Sequence, residues 1–146
     1  MLTVYIGWDS REPIAADVCR YSILEHASIP VNIVMLKQDE LRKRELYWRD
    51  VDKLASTEFT FTRFLVPELN NFEGTAIFMD SDMVLTTDIA ELIADVDPKK
   101  AVSCVQHDYT PPEGVKMDGQ QQLAYPRKNW SSMVVWNCAH PANKQV

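Results

Sequence analysis

The stretch Thr75–Leu85 (TAIFMDSDMVL) constrains the fold more than any other part of this chain. Five mostly apolar residues lead directly into Asp80-Ser81-Asp82, and an apolar run then resumes. A strand that is apolar on both faces is typical of the centre of a parallel sheet covered by helices. A carboxylate at the end of such a strand is costly unless it is paired, hydrogen-bonded or bound to metal. The stretch therefore predicts an α/β fold with an acidic site at the carboxyl end of a buried strand.

The remaining segments fit one α/β domain across the 146 residues. Apolar, β-rich runs predict strands at Leu2–Ile6, Val31–Leu36, Thr75–Met79, Ala101–Val105 and Trp130–Cys138. Helices, with some loop, are predicted at Arg11–Ala27, Asp39–Leu54, Thr57–Leu69 and Ile89–Ala94. Between the last two strands, His107–Arg127 predicts a long, functional loop. Alternation of strands with helices indicates a mostly parallel central sheet flanked by helices.

The first predicted helix has apolar residues at helical spacing, which is the pattern of a helix that packs one face on a sheet. These residues are Ile14, Val18, Tyr21 and either Ile23 or Leu24. Asp9 or Ser10 could cap the helix, and Pro13 fits its first turn.

Charge and cysteine content exclude several classes of protein. A net charge of −6 argues against a nucleic-acid-binding protein. The basic run Arg42-Lys43-Arg44 is flanked by acidic residues and predicts a solvated surface, with contact to an anionic ligand as the alternative. Cys19, Cys104 and Cys138 have no zinc-site spacing and predict buried, reduced thiols in a cytoplasmic protein. No apolar run has the length of a membrane span, so none is expected.

Aspartates separated by one residue occur three times, at Asp50/Asp52, Asp80/Asp82 and Asp95/Asp97. The first and third pairs lie in polar segments and are predicted to form turns and caps. The second follows the buried strand, where residues i and i+2 point to the same side. Two carboxylates in that position can hold Mn²⁺ or Mg²⁺. In the alternative interpretation, Asp80 caps a turn and Asp82 faces solvent.

Three segments together resemble the family 8 glycosyltransferases, which have the GT-A fold. They are IGWDSRE from Ile6, FTFTRFLVPEL from Phe59, and AIFMDSDMVLTTDIAELI from Ala76. The last contains the D-x-D motif and, from Asp88, the D-I-x-E-L pattern of that family. KNWSSMVVWNC (Lys128–Cys138) resembles the later strand that lines the donor-sugar site.

The resemblance implies a retaining transferase that uses a nucleotide-sugar, commonly a UDP-sugar, with Mn²⁺ or Mg²⁺. It implies donor-binding roles for Ile6, Gly7, Trp8, Asp9, Arg63, Asp80, Ser81, Asp108, Ser131 and Ser132. Asp80 and Asp82 would hold the metal that bridges the diphosphate. Asp9, with the backbone of residues 6–8, would hold the uracil and ribose, and Arg63 would reach the sugar or phosphate. No catalytic nucleophile is identified. Without the resemblance, a structural Arg63 paired with Glu68 or a surface carboxylate fits the sequence as well.

Two departures from the family pattern leave more than one function open. The sequence has no His-x-x-Gly-x-x-Lys stretch, and Asn129-Trp130-Ser131-Ser132 replaces the family's Phe-Asn-Ser-Gly. We therefore expect one GT-A-like domain over residues 1–146 that lacks the usual C-terminal part. It would be a metal-dependent glycosyltransferase or, alternatively, a nucleotide-sugar-binding module without transfer activity. A haloacid-type phosphatase is disfavoured, because the first strand ends in the single acid Asp9.

A hydrophobic face left open by the missing C-terminal part would favour a homo-oligomer.

Overall fold

The computed structural model describes residues 1–107, 114–115, 121–122 and 128–145. Its main sheet consists of β1 (Leu2–Gly7), β2 (Val31–Leu36), β3 (Thr75–Met79), β4 (Val102–His107) and β7 (Lys128–Asn137). Two short strands, β5 (Gly114–Val115) and β6 (Gln121–Gln122), pair with each other. The α-helices are α1 (Pro13–His26), α2 (Gln38–Lys43), α3 (Val66–Leu69) and α4 (Ile89–Ala94). Two 3₁₀ helices span Thr62–Leu65 and Pro141–Gln145.

The five strands lie in the order β2-β1-β3-β7-β4. β1 is parallel to both β2 and β3, whereas β7 inserts antiparallel between β3 and β4. The strands other than β7 therefore share one direction. This confirms the predicted α/β fold with a mostly parallel sheet flanked by helices, and it brings the carboxyl ends of β1 and β3 side by side.

β3 is the buried central strand that its sequence predicts. Ala76, Ile77, Phe78 and Met79 are completely buried. Phe78 packs in a cluster on one face of the sheet, and Ile77 and Met79 pack in a second cluster on the other. Because both faces of the strand are covered from Ala76 to Met79, polar residues stand only at its two ends, at Thr75 and at Asp80.

The first helix forms, but of the apolar residues at helical spacing only Ile23, one of the two alternatives for the fourth position, is buried. Ile14, Val18, Tyr21 and Leu24 are exposed, Ile14 by 74% and Tyr21 by 66%. The buried residues are Ala16, Cys19, Ser22 and Ile23. Three of these are small, so they let the helix backbone lie close to the sheet, whereas the larger apolar side chains face outward.

The predicted capping of this helix is wrong. Its N-cap residue is Glu12, which makes no side-chain capping hydrogen bond, while Pro13 occupies the first turn as expected. The carboxylate of Asp9 instead accepts hydrogen bonds from Arg11. Because the helix begins only at Pro13, Asp9 and Ser10 lie too early in the chain to cap it.

Two of the predicted helical segments are shorter in the structure than the sequence predicts. The helix expected within Thr57–Leu69 begins only at Thr62, and the segment Asp39–Leu54 contains just the short α2, which starts at Gln38. Residues 44–61 form no helix or strand.

The predictions for the other aspartate pairs, the cysteines and membrane spans can also be compared with the structure. Asp52 and Asp97 accept hydrogen bonds from the backbone of Leu54 and Lys99, which confirms them as turn residues. All three cysteines are free, but Cys104 is exposed rather than buried because it lies on the edge strand β4. Among the helices in the described ranges, none combines the length and apolar character needed to cross a membrane.

Candidate functional site

The carboxyl ends of β1 and β3 open into a cleft of about 380 Å³. Its lining combines acidic side chains, one guanidinium, small hydroxyl side chains and one aromatic ring: Asp9, Arg11, Glu12, Ser56, Thr57, Phe59, Asp80, Ser81 and Asp82. This is the edge of an open α/β sheet at which ligands bind.

The D-x-D segment enters this cleft directly from the buried strand. The backbone N–H of Asp80 donates to the carbonyl of Ser132 at 2.7 Å, which extends the pairing of β3 with β7 by one residue. The Asp80 side chain is 21% exposed, Asp82 is exposed, and Ser81 is buried between them. Both carboxylates therefore reach one cleft from a backbone that is held in place by the sheet.

Arg63 lies behind Asp80 and connects it to β7. Its Nη1 is 3.3 Å from Asp80 Oδ1 and also donates to the carbonyl of Ser131 at 2.6 Å and to Ser131 Oγ at 3.3 Å. The guanidinium lies over the rings of Phe78 and Phe59. Burial lowers the pKa of Arg63, and the neighbouring Asp80 opposes that shift. The described contacts thus pair Arg63 with Asp80 rather than with Glu68.

Asp9 is almost fully buried at the end of β1 and forms a bidentate pair with Arg11. Arg11 donates from Nε to Oδ1 at 2.9 Å and from Nη2 to Oδ2 at 2.7 Å, and its backbone N–H also donates to Oδ1. The side-chain hydrogen bond from Arg11 lowers the pKa of Asp9 from 3.8 to about 2. Asp9 is therefore ionised at neutral pH and holds Arg11 at the cleft.

Residues 56–59 form one wall of the cleft, with Ser56, Thr57 and Phe59 in its lining. Glu58 contacts Ser10 through its carboxylate and Asp9 through its backbone N–H. The ring of Phe59 packs against Gly7, where a Cβ atom would lie 2.5–2.8 Å from ring carbons. Glycine at position 7 is what allows this close approach.

The residues that the sequence predicted for the donor site fall into three groups. Asp9, Asp80, Ser81 and Asp82 line the cleft. Those behind it are Arg63, Ser131 and Ser132. Ile6, Gly7 and Trp8 lie before Asp9: Ile6 is completely buried and paired with both neighbouring strands, Gly7 pairs with Leu36, and Trp8 is half-buried. Asp108 lies outside the described residues.

Sequence reasoning missed five residues of the cleft lining: Arg11, Glu12, Ser56, Thr57 and Phe59. Arg11 could have been found, because it follows a strand-end aspartate by two residues, a spacing at which a guanidinium can fold back onto the carboxylate. Ser56 and Thr57 carry no such signal, since they lie far from β1 in sequence and in a segment without regular structure.

The donor atoms in the cleft suit a hard divalent cation. Asp80 and Asp82 provide carboxylate oxygens, the ligands that Mg²⁺ and Mn²⁺ prefer. Over the part of the chain that the structure describes, no group of three or more acidic, histidine or cysteine side chains is arranged to hold a metal.

In sequence, this chain is similar to a plant protein. No protein-family profile matches the chain. It is 53% identical over 143 residues to Protein CDI of Arabidopsis thaliana, an alignment that covers 98% of this chain and 55% of that protein. The chain thus spans about half the length of this relative.

Two solved glycosyltransferase structures share its fold. The apo structure of the bifunctional glycosyltransferase WbbM superposes with a TM-score of 0.64 and 19% identity, covering 99% of this chain and 32% of that one. The glycosyltransferase GlyE of Streptococcus pneumoniae TIGR4 gives a TM-score of 0.60 and 14% identity, covering 99% of this chain and 36% of that one. The chain therefore has a glycosyltransferase fold.

Proposed function

We propose that this chain is the donor-binding domain of a glycosyltransferase that resembles family 8 and uses a UDP-sugar with Mn²⁺ or Mg²⁺. One observation carries the proposal: in a glycosyltransferase fold, Asp80 and Asp82 follow the central strand into a cleft at the carboxyl edge of the sheet. Ligands of open α/β sheets bind at this edge, and a divalent cation held by carboxylates and substrate phosphates is a common arrangement for a nucleotide diphosphate.

Asp80 and Asp82 would hold the divalent cation in this proposal, which fits their oxygen donors and shared cleft. Once bound, the cation would neutralise charge on the diphosphate as the nucleotide leaves. Arg63 would keep the Asp80 carboxylate in place, since its Nη1 contacts Oδ1 while its other hydrogen bonds tie it to Ser131. A carboxylate positioned before ligand binding loses less conformational freedom when it binds.

Asp9 and Arg11 would bind the nucleoside part of the donor. The Asp9 carboxylate is already hydrogen-bonded to Arg11 and to the backbone of Glu58. Its main contribution would therefore be to hold Arg11, whose side chain is 58% exposed and lines the cleft. Transfer with retention, and the activity of the whole protein, belong to the proposal as well, because the chain spans only 55% of Protein CDI.

Thermal unfolding with Mn²⁺, UDP, and both together tests this function. Ligand at about a hundred times its dissociation constant stabilises a protein by roughly 2.7 kcal/mol, or about 5–10 °C for a domain of this size. We expect such a shift with Mn²⁺ plus UDP, and we expect it to disappear in Asp80→Asn/Asp82→Asn.

Asp50→Asn/Asp52→Asn is the matched control, because it makes the same chemical change in a D-x-D pair outside the cleft. The control should keep the full shift. No shift with any nucleotide would contradict the proposal. A shift without hydrolysis or transfer of any UDP-sugar would select the non-catalytic module.

A further inference from the structure

We propose that Glu58 is a positioning residue that holds the nucleoside-side wall of the cleft. The wall consists of residues 56–59. Ser56, Thr57 and Phe59 line the cleft, whereas Glu58 does not line it and binds the residues that follow β1. The inference rests on the proposed function, because it concerns how the same cleft recognises a nucleotide.

Each polar group of Glu58 has a partner at the carboxyl edge of the sheet. Its carboxylate accepts hydrogen bonds from the backbone N–H of Ser10 at 3.2 Å and from the Ser10 hydroxyl. Its backbone N–H donates to Asp9 Oδ2 at 3.2 Å, and its carbonyl accepts from Gln38 Nε2 at 2.9 Å. Asp9 follows β1 and Gln38 begins α2, just after β2. Glu58 therefore attaches the wall to the ends of two neighbouring strands.

Other contacts also hold the residues on either side of Glu58, among them a hydrogen bond from Arg63 Nε to the carbonyl of Phe59 at 3.3 Å. Arg11 Nη2 donates to the carbonyl of Ser56 at 2.7 Å, and the Phe59 ring packs on Gly7. Because residues 44–61 have no helix or strand of their own, the position of the wall depends on such contacts. The Glu58 carboxylate contributes two of them from one side chain.

The order of the strands assigns this wall to the nucleoside. Asp80 and Asp82 follow β3, and a diphosphate bound there leaves the rest of the cleft, towards the end of β1, for the nucleoside. Residues 56–59 contact the end of β1 through Asp9, Ser10 and Arg11. Loosening the wall should therefore weaken binding of a nucleotide and leave binding of a diphosphate alone unchanged.

Isothermal titration with UDP and with inorganic pyrophosphate, each in the presence of Mg²⁺, provides the test. Glu58→Ala should weaken UDP binding by about tenfold or more, since hydrogen bonds to a charged group are lost together with the order of the wall. Its affinity for pyrophosphate should match that of the unaltered chain. Glu58→Gln should restore UDP binding, because its amide can accept from the Ser10 N–H and donate to the Ser10 oxygen.

Glu25→Ala, at an exposed position of α1, is the control and should bind both ligands normally. Equal weakening of UDP and pyrophosphate by Glu58→Ala would overturn the inference, because it would indicate a general loss of structure. Unchanged UDP affinity would overturn it too.

Amide hydrogen exchange of residues 56–60 separates this inference from the proposed function. If the unaltered chain binds pyrophosphate but not UDP, or neither, the proposed function fails. Faster exchange of residues 56–60 in Glu58→Ala would still support the positioning role, and unchanged exchange would overturn it.

Discussion

Arg63 Nη1 lies 3.3 Å from Asp80 Oδ1, which joins a buried guanidinium of the first 3₁₀ helix to the carboxylate at the end of β3. The same nitrogen donates to Ser131 on β7. Arg63 therefore connects three segments that are distant in sequence, and the geometry of the D-x-D site depends on it.

Replacing Arg63 with methionine should destabilise the fold by roughly 2–3 kcal/mol, because the change removes the contact of Arg63 with Asp80 together with its hydrogen bonds to Ser131. Urea unfolding at pH 7 measures the loss. Asp80→Asn in the same background should recover part of it, since an amide needs no counter-charge. Arg20→Met, at an exposed position on α1, is the control. An Arg63→Met chain as stable as this control would show that the ion pair contributes nothing.

Gly7→Ala should cost about 1–3 kcal/mol, as overpacking of a core does. The added methyl would lie 2.5–2.8 Å from the Phe59 ring and push residues 56–59 outward. Phe59→Leu alone removes ring atoms, so the double variant should lose less stability than the sum of the two single variants. Chemical denaturation of all four chains gives the coupling energy, and additive losses would mean that the two residues do not meet.

Asp9 should make stability depend on pH in the acidic range. Its pKa is lowered from 3.8 to about 2, so the stabilisation is complete above its unfolded pKa and is lost as pH falls through about 2. The stability advantage over Asp9→Asn should be about 1–2 kcal/mol near pH 6 and should shrink between about pH 5 and pH 2. Urea titrations at several pH values would reveal it. An advantage that stays constant with pH would argue against an ionised Asp9–Arg11 pair.

Helix α1 offers a direct test of which face is buried. Ile23→Ala should cost about 2–4 kcal/mol, because Ile23 is completely buried, whereas Ile14→Ala should stay within about 0.5 kcal/mol. Both variants make the same chemical change, so the difference between their unfolding temperatures reports only how deeply each side chain is buried. Equal losses at both positions would place Ile14 against another surface.

The sequence pattern predicted a helix or strand correctly where its limits depend mainly on which residues are buried. β3 and α4 have the predicted limits, because a mostly apolar run and an Asp88 cap leave few alternatives. The face of α1 could not be predicted in the same way. Ala16, Cys19 and Ile23 pack with the strands, whereas most of the large apolar residues at helical spacing lie on the exposed side.

The candidate site was predictable only where its residues come from strand ends. Asp9 and Asp80 follow apolar strands, so the edge they share can be inferred from an α/β fold. The contribution of Glu58 depends on hydrogen bonds to Ser10, 48 residues earlier in the chain, and on a segment without periodic structure. Such long-range polar contacts leave no trace in a local pattern.

The insertion of β7 between β3 and β4 affects when the site can form during synthesis. β3 ends at residue 79, but its neighbour β7 begins only at residue 128. One edge of β3 therefore stays unpaired while the residues between the two strands are synthesised. Both Asp80 and Arg63 take a hydrogen-bond partner from β7. On the ribosome, the acidic site should therefore form late and all at once, and a nascent chain would gain its ligand-binding geometry only in the step that closes its sheet.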